Sequence, residues 1–289
     1  MTVRGDTLHG SARHLVAAVV LLLCVGCSDD GDDGGASSAT VTTAAECATA
    51  VAPASLGIDV VGERPHDPAA FTQGLLVVGD DLYESTGLEG RSTVRQVNPA
   101  TGEVLRSTDL DPELFGEGLT TLDDDQLVQL TWKDGRALVW DREELSLVGE
   151  HRYEGEGWGI TTLDDGRLVM SDGSDTLTVR DPDDFSELER WEVTRQVGPA
   201  DQLNELEWDG EHVWANRWKT DEIVRIDPVC HRVDAVVDAS ELTARAEELA
   251  SPDEPIDVLN GIALLPGTDR FLVTGKQWPV TFEVRFVPT

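Results

Sequence analysis

Apolar residues along this chain fall in short runs that alternate with polar ones, and Gly, Asp, Asn or Pro interrupts them every few positions. The pairs Leu82-Tyr83, Leu127-Val128, Leu168-Val169, Val213-Trp214 and Phe271-Leu272 stand at corresponding places in successive stretches. Each follows a turn-forming cluster such as Gly79-Asp80-Asp81, Asp164-Asp165-Gly166 or Gly267-Thr268-Asp269. Short strands joined by tight turns give this pattern. Thr93 to Val97 and Glu222 to Ile226 alternate as a third strand would, and Asn98-Pro99, Asp181-Pro182 and Asp227-Pro228 turn toward an outer fourth.

Ahead of each first strand one motif recurs with a different central residue: Gln73-Gly74, Glu117-Gly118, Trp158-Gly159, Asn204-Glu205 and Asn260-Gly261. The second members are separated by 44, 41, 46 and 56 residues. Strand-rich repeats of about 40 to 50 residues are the signature of propeller blades. The expectation is therefore an all-β, five-bladed β-propeller over residues 57–289. The longest interval holds Ser240 to Ala250, good helix formers behind a Ser or Asp cap and ahead of Pro252 and Pro255, which predicts a short helix between blades four and five. The fifth unit reaches the chain end after three strands, and the strand-like stretch Gly57 to Glu63 can supply its outer one. Closing the ring with both chain ends hides an open sheet edge.

Inner strands of a propeller face a common axis, so equivalent registers should meet. Gln73, Glu117, Trp158, Asn204 and Asn260 form one expected ring. Gly87, Trp132, Gly173, Trp218 and Lys276, each 13 to 15 residues after the second member of its motif, form a second at the same mouth. A carboxylate, an ammonium, amides and three indoles make a partly apolar cup suited to a small ligand. The tryptophans also serve as blade packing in this reading, and Asn260 as a backbone partner.

The formal net charge of −34 argues against nucleic acid as a partner, because nothing would neutralise phosphates. Only Lys133, Lys219 and Lys276 are lysines among otherwise Arg basic residues, so an ammonium is expected to be needed at one or more of them, with chance surface placement the alternative for two. Arg4 and Arg13 precede the apolar run Leu15 to Leu23 and then Gly26-Cys27, a signal-peptide layout ending in a lipobox-like Cys. Residues 1–27 are thus expected to be a leader with Cys27 lipidated. The protein would then be exported and held on the outer face of a bacterial cytoplasmic membrane only through that anchor, or secreted if the leader is an ordinary one. Residues 28–56 are poor in large apolar side chains and read as a flexible tether. Cys47 and Cys230 remain in an exported chain and are expected to pair, stapling the tether to the fourth blade.

No His or Cys pairing has metal-ligand spacing, the Asp runs lack the pattern of a calcium loop, and no nucleophile elbow or phosphate loop is present. Neither a metal nor a cofactor is expected.

Phe71-Thr72-Gln73-Gly74-Leu75, Gly116-Glu117-Gly118-Leu119-Thr120, Gly157-Trp158-Gly159, Leu203-Asn204-Glu205-Leu206-Glu207, Leu259-Asn260-Gly261-Ile262 and Thr274-Gly275-Lys276-Gln277-Trp278-Pro279 occur in order along residues 58–289. In these motifs the chain resembles the plant and bacterial glutaminyl-peptide cyclotransferases, five-bladed propellers unrelated to the zinc-dependent animal enzymes. The resemblance implies closure of an N-terminal glutaminyl residue of a peptide or protein to pyroglutamyl, with release of ammonia. It implies Glu117 as the general acid–base, Asn204 and Lys276 steadying the γ-oxygen, Gln73 holding the substrate, and Trp132, Trp158 and Trp218 walling its side chain. A monomer is expected. The rival readings are a non-catalytic peptide-binding or scaffold propeller of the cell envelope and, less well supported for want of acid and amide ligands, a calcium-dependent lactonase.

Overall fold

The computed structural model describes Cys47 and residues 51–289. The expected leader with Cys27 and most of the expected tether lie outside the described residues. Strand β1 (Ala54–Pro65) comes first. Four antiparallel meanders follow: β2 (Thr72–Val78), β3 (Asp81–Thr86), β4 (Thr93–Val97) and β5 (Val104–Asp109); β6 (Gly116–Thr121), β7 (Gln126–Thr131), β8 (Arg136–Asp141) and β9 (Leu147–Arg152); β10 (Ile160–Thr162), β11 (Leu168–Met170), β12 (Thr176–Arg180) and β13 (Glu187–Glu192); and β14 (Leu203–Trp208), β15 (Val213–Arg217), β16 (Glu222–Asp227) and β17 (Arg232–Asp238). Helix α1 (Ser240–Leu249) then leads to β18 (Leu259–Leu264), β19 (Phe271–Gly275) and β20 (Val280–Pro288), whose outer partner is β1.

The first strand of each unit packs against the first strand of the next, and β18 returns to β2. Apolar clusters fill the spaces between successive units. Leu76, Tyr83 and Val94 meet Leu119 and Leu127; Leu75 and Leu82 meet Ala263 and Leu272 across the closure. Both faces of every sheet are therefore covered near the centre, which is why the inner strands are almost continuously buried while outer strands such as β5 and β9 stay exposed. This is a propeller-like all-β fold.

At the inner-strand register the neighbouring unit comes within backbone contact. A Cβ at Gly159 would lie 2.1 Å from the carbonyl oxygen of Asn204. Glycine is the side chain that fits such a crossing. The fourth unit breaks the pattern with Glu205, whose carboxylate accepts the backbone N–H of Leu75 at 3.2 Å and of Ile262 at 2.8 Å, tying three inner strands together.

The closure uses more of β1 than the alternation predicted. β1 runs antiparallel to β20 with a bulge between Val60 and Gly62, and Ala54 to Leu56 pair in parallel with Ala235 to Val237 of β17. Cys47 and Cys230 are joined by a disulfide on the same unit. Beyond β1, His66 places Nδ1 2.6 Å from the Trp278 carbonyl and Nε2 3.1 Å from Glu84, so both ring nitrogens face acceptors and the imidazolium is favoured. Burial alone would raise the Glu84 pKa, but Arg95 and His66 outweigh it and hold the carboxyl down at about 2.

Helix α1 departs from expectation at its start. Ala239 occupies the N-cap with no side-chain cap, and Asp238 instead accepts the N–H of Ser240 at 2.9 Å. Leu242 and Ala246, one turn apart, are buried in a cluster of fourth- and fifth-unit residues, so packing holds the helix where an N-cap side chain does not.

Candidate active site

The ladders between the first and second strands break at the same place in four units: between Thr72 and Gly74, Gly116 and Leu119, Leu203 and Leu206, and Leu259 and Ile262. Gln73, Glu117, Asn204 and Asn260 sit in these breaks. A bulge releases a residue from its pleat and re-aims its side chain. In the third unit the strand begins only at Ile160, and Trp158 precedes it in the connecting turn.

Three of these breaks, at Gln73, Glu117 and Asn204, open onto one cavity of about 270 Å³. Gln73, Glu117, Trp158 and Asn204 line it from the first expected ring, and Trp132, Trp218 and Lys276 from the second. Every proposed catalytic and substrate-contacting residue therefore borders one space. Asn260 does not: it stands behind Gln73, giving Nδ2 to the Thr72 carbonyl at 3.0 Å and to Gln73 Oε1 at 3.4 Å. Gly173 has its place because a Cβ there would meet the Trp158 ring at 2.6 Å.

Glu117 is 5% exposed. Its Oε1 accepts Nε2 of Gln73 at 3.0 Å, so an Asn260–Gln73–Glu117 relay of amides orients the carboxyl. Its backbone is anchored as well: Ser85 donates its hydroxyl to the Glu117 carbonyl, Gln129 donates to Ser85 at 2.6 Å, and the Trp140 indole donates to Gln129 at 3.1 Å. Burial raises the Glu117 pKa well above the carboxylate range; Lys276 opposes the shift and Glu156 adds to it. Burial likewise lowers the pKa of Lys276, against the pull of Glu117 and Asp257. Lys276 Nζ lies 4.8 Å from the centre of the Phe71 ring. The three lysines of the chain all rest on aromatic rings of this cavity, Lys133 over Trp132 at 3.6 Å and Lys219 over Trp218 at 4.0 Å.

Trp158 meets Trp218 edge-on, ring centres 5.2 Å apart, and Trp132 leans on Phe115 at 5.6 Å. Asn204 lines the cavity, and its Oδ1 is buried with no hydrogen-bond partner. Among the described residues no group of three or more His, Cys, Asp or Glu could hold a metal ion.

Phe71, Phe115, Lys219, Asp257 and Val258 also line the cavity, and Glu156 supports its indoles; the sequence marked Lys219 only as one of three lysines and placed none of the six at the cup. The signal for four of them was present. Phe71, Phe115, Glu156 and Val258 each lie two positions before a ring residue, and side chains two apart in extended backbone point the same way. Asp257 and Lys219 arrive through loops, where no periodicity marks them.

The fold and this cavity define a propeller-like protein with a carboxyl buried among indoles, amides and an ammonium. Residues 35–286 match the family described as glutamine cyclotransferase, a span that begins within the stretch read as a tether and includes Cys47. A glutaminyl-peptide cyclotransferase of Arabidopsis thaliana is 41% identical over 231 residues, 79% of this chain and 71% of that protein. The crystal structure of Myxococcus xanthus glutaminyl cyclase matches with a TM-score of 0.75 and 36% identity, covering 82% of this chain and 99% of that one. The chain belongs to the glutamine cyclotransferase family.

Proposed function

We propose that this protein is a glutaminyl-peptide cyclotransferase that works by proton transfer at Glu117, without a metal. Family membership supports the activity; the observation that supports the mechanism is the carboxyl of Glu117 at the wall of a cup shared with Lys276, Asn204 and three indoles. The α-amine of the substrate attacks the carbonyl carbon of its own γ-amide, a new C–N bond forms, and the old one breaks to release ammonia. Nucleophile and electrophile belong to one residue, so holding a near-attack conformer removes much of the entropic barrier. What remains is moving one proton from the attacking amine to the departing one. A carboxyl whose pKa burial has raised well above the usual carboxylate range can accept that proton and return it.

Lys276 supplies positive charge for the γ-oxygen as it becomes an oxyanion, in a site where water would screen it little. Asn204, on the wall of the same cavity, joins Lys276 in steadying that oxygen through its amide N–H. Gln73, placed by Asn260, directs Glu117. The indoles enclose the substrate side chain and keep out water, the competing nucleophile. A disulfide suits an oxidising compartment, which supports export; anchoring through Cys27 would be tested by whether Cys27→Ala releases the protein from membranes.

The decisive experiment incubates the protein with a Gln-initiated peptide and follows its mass, with and without a chelator. Loss of one ammonia, unaffected by the chelator, is the expected result. An unchanged peptide would refute the activity, and inhibition by the chelator would refute the metal-independent mechanism.

A further inference from the structure

We propose that Glu156 is a positioning residue for the cyclisation, a tie that holds two of the three indole walls of the cup at a fixed angle to Glu117. The inference rests on the reading of the cup given above. Glu156 does not line the cavity, yet its Oε2 accepts the indole N–H of Trp132 at 2.8 Å and that of Trp158 at 3.0 Å. The two rings come from different units, Trp132 after β7 and Trp158 before β10; their backbones meet where the Gly157 N–H donates to the Trp132 carbonyl at 3.0 Å, and that contact leaves the rotation of both rings open. An indole has one N–H donor, so an acceptor shared by two indoles sets the rotation of both. Trp158 in turn abuts Trp218, which extends the tie to the third wall. The other oxygen, Oε1, lies 3.7 Å from Lys133 Nζ, the ammonium that covers the outer face of Trp132. One carboxylate thus fixes the edge of each ring and the cation on the back of one.

The tie also carries charge toward the catalytic group. Glu117 is faced by Lys276 from the loop after β19, by Glu156 from the turn before β10 and by Tyr153 from the segment after β9; Asp257 acts on Lys276. Of these, Glu156 is the negative charge that helps keep a proton on Glu117. Position and charge can be separated, because glutamine retains an acceptor oxygen and loses the charge.

The test compares steady-state kinetics of Glu156→Ala and Glu156→Gln on a Gln-initiated peptide across pH. In Glu156→Ala the walls are released and KM rises about tenfold, on the order expected for losing hydrogen bonds to a charged acceptor, with a smaller change in kcat. In Glu156→Gln KM stays near the parent value, while the acid limb of kcat moves to lower pH because Glu117 gives up its proton more readily. Parent-like KM and acid limb in both variants would overturn the proposal. If Glu156→Ala fails to fold, an unmoved acid limb in Glu156→Gln overturns it alone. Should the parent protein not cyclise at all, the proposed activity fails separately and the tie is judged by the indole N–H resonances of Trp132 and Trp158. These shift in Glu156→Ala while that of Trp278 stays, and unmoved resonances would remove the tie.

Discussion

Glu117 and Glu205 are the same side chain, both nearly fully buried on inner strands, and burial pushes both pKa values well above the carboxylate range. They differ by one step of register. Glu117 takes the place before the glycine of its repeat, and Glu205 takes the place of the glycine itself. That step turns one carboxyl toward the cup and the other toward the neighbouring strands, since successive residues on a strand point to opposite sides. Glu205 spends its two oxygens on the backbone N–H groups of Leu75 and Ile262, whereas Glu117 accepts a side-chain amide and faces a cavity with an ammonium across it. Burial and a raised pKa do not separate a carboxyl that faces the cup from one that ties strands together. The identity of the donors does.

The largest effect belongs to Glu117→Gln. It is expected to lower kcat by about two decades or more, the range for losing a general acid–base group, while the melting temperature changes little. Turnover equal to the parent's would sink the assignment. Glu205→Ala should behave the opposite way: two backbone N–H groups lose their partner inside the protein, at about 3 kcal/mol of stability in total, and kcat per folded molecule is retained. If calorimetry shows no loss, the pinning role is wrong. Lys276→Arg probes the other side of the cup. A planar guanidinium does not replace a compact ammonium in that space, and a loss of about tenfold in kcat is expected; full activity would mean that positive charge alone suffices.

The mildest test uses Glu207, beside Glu205, whose pKa burial raises from 4.5 to about 8, partly offset by the N–H of Leu264. The folded protein keeps a proton that the unfolded chain has released, so this group's contribution to stability falls as pH rises from about 4.5 toward 8. Glu207→Gln should therefore melt a few degrees higher than the parent at pH 8 and lose that advantage near pH 4. A difference that does not vary with pH would contradict the argument.

Much of the site could be read in the chain because strand registers repeat. Once Gly74, Gly118, Gly159 and Gly261 are aligned, the residue before each belongs to the same ring, and an offset of about fourteen finds Trp132, Trp218 and Lys276. Asn260 obeys the same register and still misses the cavity, because Gln73 stands in front of it and uses its amide. The cap of α1 was misjudged for a related reason: tertiary packing of Leu242 and Ala246 outweighed the local signal at Ser240.

By itself the sequence determined the periodic strands, the turns between them, the residue types gathered at one mouth and the two cysteines that pair. Those features depend on local propensity and on a spacing that every repeat shares. Only the tertiary structure decided that Glu156 would join two indoles from separate units, that Asp257 and Lys219 would reach the rim, and that β1 would bind both the fifth unit and the fourth. These contacts arise between segments distant in sequence whose approach is set by how the sheets stack, and no spacing along the chain encodes it.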